Sequence, residues 1–302
     1  MTRPKKHKKH WANIHEITFV AGSKFLFWFY RCFGRKPFRI ALYPVVFFYT
    51  LAQPRARKAS QKYLTKIKSN KSSFSHFYVF AESMLDKLLL WGNLLPLNNI
   101  QYFGQQCILD NLSQKRGGLF ICAHFGNLEL CRVFSKNTAG LKLTVLMHTK
   151  HAKAFNDMLA QLNPASQIDV IQVTEFTPTT AIELKTKTDA GEFVVIAGDR
   201  IPVSLNPRVV SVPFLGENAS FPVGPYIMAH LLQCPTYLIF STQSEHGAEI
   251  HIESFRDRVQ LPHKNRDNAL TQLAADFASR LAFYCHQNPL QWFNFYDFWD
   301  TH

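Results

Sequence analysis

Residues 117–130 read "GGLFICAHFGNLEL" and join a predicted strand to a predicted helix through a short turn. The apolar run 118–123 is typical of a buried strand, and the spacing of apolar residues predicts a helix over 127–137. A strand followed closely by a helix is the repeating unit of sheets whose strands run parallel. In such sheets the chemistry lies beyond the carboxyl ends of the strands. His124, which directly follows the strand, therefore stands where a functional site is expected.

The same alternation continues along most of the chain after residue 100. Short runs rich in β-branched residues predict strands over 118–123, 141–147, 168–173, 192–198, 208–214, 235–241 and 248–255. Helical spacing predicts helices over 127–137, 150–162, 177–190, 223–232 and 266–287. This order predicts an α/β fold, with a mixed, largely parallel sheet covered by helices on both faces.

His124 and Glu129 form the strongest candidate pair. On one continuous helix their five-residue spacing would place them about 140° apart, on different faces. If the strand instead ends at Ala123 and the helix begins near Asn127, the Glu129 carboxylate can reach back to the imidazole. The pair would then act as a base and the residue that orients it. The alternatives are a buried structural histidine and an acid favoured in a first helical turn by the helix dipole.

The turn between these residues has its own signals. Gly126 would let the backbone pass close to a neighbouring segment, and Asn127 is predicted to cap the helix. Amide groups in the turn would point toward the site, as stabilisation of an oxyanion requires.

Two further groups follow predicted strands. Asp199 and Arg200 come directly after the strand 192–198, where they could serve the site or form a salt-bridged turn. His148 and Lys150 follow the strand 141–147, where they could bind a phosphate or carboxylate or belong to a polar rim.

The positive charge is concentrated in the first quarter of the chain. The net charge is +13, and residues 1–75 hold 17 Lys and Arg against one acid, Glu16. Such a segment indicates an anionic partner: nucleic acid, an acidic carrier protein or an anionic lipid surface. Its aromatic and aliphatic runs, with few side chains suited to reading bases, favour lipid and argue against nucleic acid.

The same composition predicts two parts: a membrane-associating helical segment over 1–75 and a catalytic domain over 76–302. The uncharged run 40–54 has 15 residues and contains Pro44, whereas a membrane span needs about 20. Helices that lie in the membrane interface are therefore expected, with a single tilted span as the alternative. The N-terminus has no cleavage site of a signal peptide, so we expect the catalytic domain to stay in the cytoplasm.

Several enzyme classes lack their signatures. The sequence has no GxSxG elbow, P-loop, GxGxxG or HExxH motif, which argues against serine hydrolases, nucleotide enzymes and zincins. Its six cysteines form no CxxC pair and are interpreted as thiols in a reducing compartment, several of them buried. No metal and no cofactor are predicted.

Four blocks resemble the lysophospholipid acyltransferase superfamily and, within it, the bacterial lipid A late acyltransferases. "AHFGNLE" resembles the His-x4-Asp/Glu motif, and "AGDR" resembles a later block with an acid. "VPFLG" resembles a Val-Pro-Phe-Phe-Gly block, and "QNPLQWFNFYDFW" resembles a Pro-x-x-Trp tail. The likeness covers about residues 20–302. It implies catalytic roles for His124, Glu129 and Asp199, and substrate contacts for Gly126, Asn127, His148, Lys150, Arg200, Pro213, Phe214 and Gly216.

The resemblance implies transfer of an acyl group from a thioester to a hydroxyl of a lipid acceptor at the cytoplasmic face of the inner membrane. The implied donor is an acyl carrier protein thioester, with acyl-coenzyme A as the alternative. His148 or Lys150 stands where lipid A enzymes usually carry an arginine. The opening segment also looks more like a side branch encoded with aryl-polyene and specialised fatty-acid genes, whose acceptors are other lipids. The alternatives are thioester hydrolysis and a non-catalytic membrane-binding or nucleic-acid-binding module.

Overall fold

The computed structural model describes residues 29–91, 94, 100–147, 169–172, 177–201, 207–244 and 247–299. Strands span Ile100–Phe103 (β1), Gly118–Cys122 (β2), Leu143–Met147 (β3), Asp169–Gln172 (β4), Phe193–Ala197 (β5), Val209–Phe214 (β6), Glu217–Pro222 (β7), Thr236–Ser244 (β8) and Gly247–Arg256 (β9). Helices span Arg35–Ala52 (α1), Pro54–Lys66 (α2), Ser73–Trp91 (α3), Gln106–Ser113 (α4), Glu129–Asn137 (α5), Pro178–Asp189 (α6), Gly224–Leu232 (α7) and Arg266–Gln287 (α8).

Seven strands form one sheet in the order β1-β9-β8-β2-β5-β3-β4. Every neighbouring pair in this sheet is parallel except β8 and β9, which are antiparallel. The predicted mixed, largely parallel sheet is therefore confirmed. β2 lies at its centre, paired to β5 on one side and to β8 on the other. The residues that follow β2 and β5 consequently emerge side by side at one edge of the sheet.

The sheet is covered on both faces because its central strands bury side chains in both directions. All five residues of β2 are buried. Leu119 and Ile121 pack in one hydrophobic cluster with helices α2, α6, α7 and α8. Phe120 and Cys122, which point the opposite way, pack in a second cluster with α4 and α5.

The three N-terminal helices pack partly against each other. Phe38 and Leu42 of α1 share a third hydrophobic cluster with Phe77 and Leu85 of α3. Tyr63 of α2 instead belongs to the main core. The expected domain boundary near residue 75 falls inside α3 and stays a prediction. In the described part of the chain, no helix combines the length and apolarity required to cross a membrane.

The predicted strands and helices agree with the structure wherever it describes them. The helix predicted over 150–162 lies outside the described residues, as do the ends of the strand predicted over 168–173. β1 and β7 were not predicted. β7 pairs with β6 in a two-stranded antiparallel hairpin, with Leu215 and Gly216 as its turn. Both turn residues have positive φ, which this tight type of hairpin requires.

Candidate active site

His124 stands two residues past the central strand and presents its side chain partly to solvent. β2 ends at Cys122 and is fully buried, so the sheet holds the backbone at this point rigidly. The His124 side chain is 29% exposed, which leaves the ring within reach of another molecule. The structure thus places His124 at the carboxyl edge of the sheet, as predicted.

Asp199 holds the imidazole. It lies two residues beyond β5, the neighbour of β2, and its side chain is 1% exposed. Its Oδ1 is 2.8 Å from Nδ1 of His124, and its Oδ2 accepts the backbone N–H of His124 at 2.8 Å. Burial opposes ionisation of Asp199. The charge of His124 and the hydrogen bonds from His124 and Trp292 nevertheless hold its pKa below the ordinary value.

This contact fixes the tautomer of His124. An ionised carboxylate only accepts hydrogen bonds, so Nδ1 must carry the proton that lies between the two side chains. The neutral ring then has its lone pair on Nε2. Within the described residues Nε2 has no hydrogen-bond partner. The arrangement therefore leaves Nε2 as a base that is available to a bound substrate.

Trp292 completes the surroundings of Asp199, although it was not among the predicted site residues. Its indole Nε1 donates to Oδ2 of Asp199 at 3.0 Å, and the side chain is fully buried. Its segment pairs with the turn after β2, because Phe293 N donates to His124 O and Gly126 N donates to Gln291 O. The only sequence signal for Trp292 was the resemblance of its tail to the Pro-x-x-Trp block.

The contact predicted between His124 and Glu129 is not found, and this interpretation was wrong. Glu129 opens α5, and one of its carboxylate oxygens lies 3.4 Å from Nε of Arg132. Nδ1 of His124 is already bonded to Asp199. The physical reason is that β2 and β5 are neighbours and bring together the residues that follow them, so Asp199 occupies the Nδ1 side of the ring.

Glu129 instead belongs to a cluster of charges beside the turn. Its carboxylate and the Arg132 side chain are 15% and 8% exposed. Burial lowers the pKa of Lys87 on α3, the charge of Glu129 opposes this shift, and the charge of Arg200 adds to it. The negative charge of Glu129 thus offsets the positive charges of buried Arg132 and partly buried Lys87.

The turn residues Gly126 and Asn127 behave largely as predicted. Gly126 has φ of +60°, and a Cβ atom there would lie 1.9 Å from the backbone oxygen of Ser241, so only glycine fits. Asn127 is not the N-cap, since that position belongs to Leu128, but its side chain accepts the backbone N–H of Glu129 at 3.1 Å from one residue before the cap. The N–H of Gly126 is bonded to Gln291 and is not free to bind an oxyanion.

The other predicted site residues are dispersed. Arg200 is exposed and donates to the backbone oxygen of Phe293 at 3.0 Å, next to the site. Phe214 packs in the core, with its ring 5.3 Å from that of Trp292. Pro213 and Gly216 are exposed near the tip of the β6–β7 hairpin. His148 and Lys150 lie outside the described residues.

A cavity of about 920 Å³ adjoins the turn. Gly126 and Phe293 form part of its wall, so it reaches the segments that flank His124, although His124 itself is not among its described lining residues. Arg35 of α1 also lines the cavity and pairs with buried Asp86 of α3 at 3.2 Å. The cavity therefore combines a polar, charged wall with a position beside the site.

The chain matches one protein-family model, described as bacterial lipid A biosynthesis acyltransferase, over residues 94–301. The match includes His124, Asp199 and Trp292, whereas α1, α2 and α3 precede it. No curated protein matches the chain.

Proposed function

The chain belongs to the bacterial lipid A biosynthesis acyltransferase family and is an acyltransferase, and we propose that it moves a fatty acyl group from an acyl thioester to a hydroxyl of a lipid acceptor. The observation that carries the proposal is the 2.8 Å contact between Nδ1 of His124 and Asp199. This contact makes Nε2 of a partly exposed histidine the base, which is the group that such a reaction requires.

The reaction proceeds by direct attack. Nε2 of His124 takes the proton of the acceptor hydroxyl, and the hydroxyl oxygen bonds to the thioester carbonyl carbon. The tetrahedral intermediate collapses, the carbon–sulfur bond breaks, and the leaving sulfur takes the proton from the imidazolium. Asp199 stabilises the imidazolium between these two proton transfers. The acyl group passes from sulfur to oxygen without a bond to the protein.

Backbone amides of the turn are the groups that stabilise the oxyanion of this intermediate. The N–H of Gly126 is already bonded to Gln291, but those of Asn127 and Leu128 donate to no residue that the structure describes. These two amides immediately precede α5, where the helix dipole also favours negative charge.

The N-terminal segment brings the enzyme to the cytoplasmic face of the inner membrane. Helix α1 exposes a broad apolar surface. Its exposed side chains are those of Ile40, Tyr43, Val45, Phe47, Phe48 and Leu51. Such a face on a helix of a basic segment fits a position in the membrane interface. Arg35 of the same helix lines part of the cavity that adjoins the turn after His124. A lipid head group that leaves the membrane at α1 would therefore enter this cavity.

The proposed donor is an acyl carrier protein thioester. The acidic surface of such a carrier would pair with exposed basic residues of the first quarter of the chain. In this arrangement those residues face the cytoplasm, where the carrier is found. Acyl-coenzyme A is the competing donor, and the experiment below compares the two.

The test supplies the purified protein in liposomes with acyl carrier protein thioester or acyl-coenzyme A, and with lipid extracts as acceptors. Mass spectrometry should show a lipid heavier by one acyl group, formed in larger amount from the carrier protein thioester. His124→Ala should lower the rate by about 10² to 10⁴, with an unchanged melting temperature. Release of free fatty acid alone would indicate a hydrolase, and full activity of His124→Ala would overturn the assignment.

A further inference from the structure

The indole N–H of Trp292 donates a hydrogen bond to the carboxylate of Asp199. Trp292 makes no hydrogen bond to the ring of His124, which is bonded to the same carboxylate. We propose that Trp292 is a positioning residue, whose indole N–H holds Asp199 so that the carboxylate faces Nδ1 of His124. This inference deepens the proposed function and rests on it, because the role of His124 as the base belongs to that proposal.

The hydrogen bonds of Asp199 show why one donor matters. Oδ2 accepts two N–H groups, from the His124 backbone and from Trp292, and this leaves Oδ1 for the imidazole. Without the indole donor, Oδ2 keeps only the backbone N–H, and the carboxylate can rotate about its last torsion. Such torsions are broad, so a hydrogen bond is the main restraint on the orientation of the group.

Trp292 is itself held from two sides. Its ring is fully buried and lies 5.1 Å from that of Tyr63, a residue of α2. Its backbone oxygen accepts a hydrogen bond from Nε2 of His76 at 3.0 Å. Since a carbonyl only accepts, Nε2 carries the proton, and Nδ1 of His76 accepts the hydroxyl of Ser60 at 3.0 Å. The N-terminal helices α2 and α3 thus fix the residue that fixes Asp199.

Trp299 provides a matched comparison in the same aromatic cluster. It is buried, and its ring lies 6.2 Å from that of Trp292. Its Nε1 donates at 3.1 Å to the backbone oxygen of Phe214 instead of to Asp199. Replacing either tryptophan by phenylalanine removes one buried indole donor, but only one of the two donors contacts the site.

The experiment measures the protonation of His124 directly. Diethyl pyrocarbonate acylates only the unprotonated imidazole, so the rate at which peptide mass spectrometry detects modified His124 rises with pH through a midpoint. In Trp292→Phe the carboxylate can rotate away from Nδ1, so the imidazolium loses the hydrogen bond and part of the charge that stabilise it. The midpoint should therefore fall by about half a pH unit or more, while in Trp299→Phe it should stay at the wild-type value. In the transfer assay, kcat of Trp292→Phe should fall by about tenfold, which is less than the whole contribution of about 10² to 10⁴ from general-base catalysis.

Equal midpoints in wild type and Trp292→Phe, or equal shifts in both tryptophan variants, would overturn the inference. If Trp292→Phe does not fold, benzothienylalanine at position 292 keeps the shape of tryptophan and lacks the N–H, and the same shift is expected. The titration does not depend on substrate. Absence of acyl transfer by the wild-type protein would refute the proposed function, while the titration would still decide the role of Trp292.

Discussion

Asp199 determines which nitrogen of His124 can act as a base. Its Oδ2 accepts two N–H groups, and its Oδ1 faces Nδ1 of His124. In Asp199→Asn, the amide oxygen must keep the Oδ2 position to accept those two donors. The amide nitrogen then faces Nδ1 and donates to it, so the proton of the ring moves to Nε2 and the base is lost.

Asp199→Asn should therefore lower kcat by on the order of 10³ to 10⁴ with little change in volume or fold. The measurement is the rate of acyl transfer at saturating donor, together with the melting temperature. Asp189→Asn, an equal change at an exposed carboxylate on α6, should retain wild-type activity. Activity of Asp199→Asn within tenfold of wild type would show that Asp199 does not set the tautomer.

At the scale of single residues, the sequence predicted the position of His124 at the carboxyl edge of the sheet but not which carboxylate contacts its ring. Both Asp199 and Glu129 were candidates, and the five-residue spacing made Glu129 the closer choice. The separation of 75 residues between His124 and Asp199 is bridged only because β2 and β5 are neighbours. That adjacency follows from the strand order, which a single sequence does not specify. For the same reason the contact between Trp292 and Asp199 was not predicted.

At the scale of elements, α1 exposes a large apolar face that the rest of the described chain leaves uncovered. Phe47 and Phe48 are 59% and 72% exposed. Burying a phenylalanine side chain contributes about 1.5 to 3 kcal/mol. Phe47→Ser with Phe48→Ser should therefore weaken binding to anionic liposomes by at least about a hundredfold, as measured by co-sedimentation in high salt, where charge attraction is screened.

Phe283→Ser is the control for this change, because Phe283 is 45% exposed on α8, far along the chain from the basic segment. It should bind liposomes as wild type does. If the double variant of α1 also bound like wild type, the membrane contact would lie elsewhere, and the exposed face of α1 would need another partner.

The elements themselves were mostly predictable, since their signals are local. Apolar periodicity predicted the helices from α5 onward wherever the structure describes them, and short β-branched runs predicted the central strands. Of the β6–β7 hairpin, only β7 was missed, because Glu217–Pro222 carries several polar residues and lacks a β-branched run. Its pairing depends on Leu215 and Gly216, whose positive φ values are a property of the turn.

At the scale of the whole molecule, the N-terminal helices are connected by hydrogen bonds to the carboxyl edge of the sheet. Ser60 of α2 and His76 of α3 join through hydrogen bonds to Trp292, and Trp292 bonds to Asp199. His76 is fully buried, and burial lowers its pKa to about 4, although the bond to the Trp292 carbonyl opposes the shift. His76 is therefore neutral in the folded protein at neutral pH.

This buried histidine makes stability depend on pH. In the unfolded chain the pKa of His76 returns to about 6.5, so between about pH 6.5 and 4 the unfolded state binds a proton that the folded state does not. The free energy of unfolding should then fall as the pH falls through this window, by about 2 to 3 kcal/mol from His76 alone at pH 4.5. His76→Gln keeps a donor and an acceptor but does not titrate, so its loss between pH 7 and 4.5 should be smaller by that amount. Urea unfolding followed by tryptophan fluorescence measures the difference, and the buried carboxyl groups contribute equally to both proteins.

His286→Gln, at an exposed position on α8, should leave the pH dependence as in wild type. Equal slopes for wild type and His76→Gln would mean that His76 accepts a proton in the folded state, and the connection through Trp292 would then carry a charge.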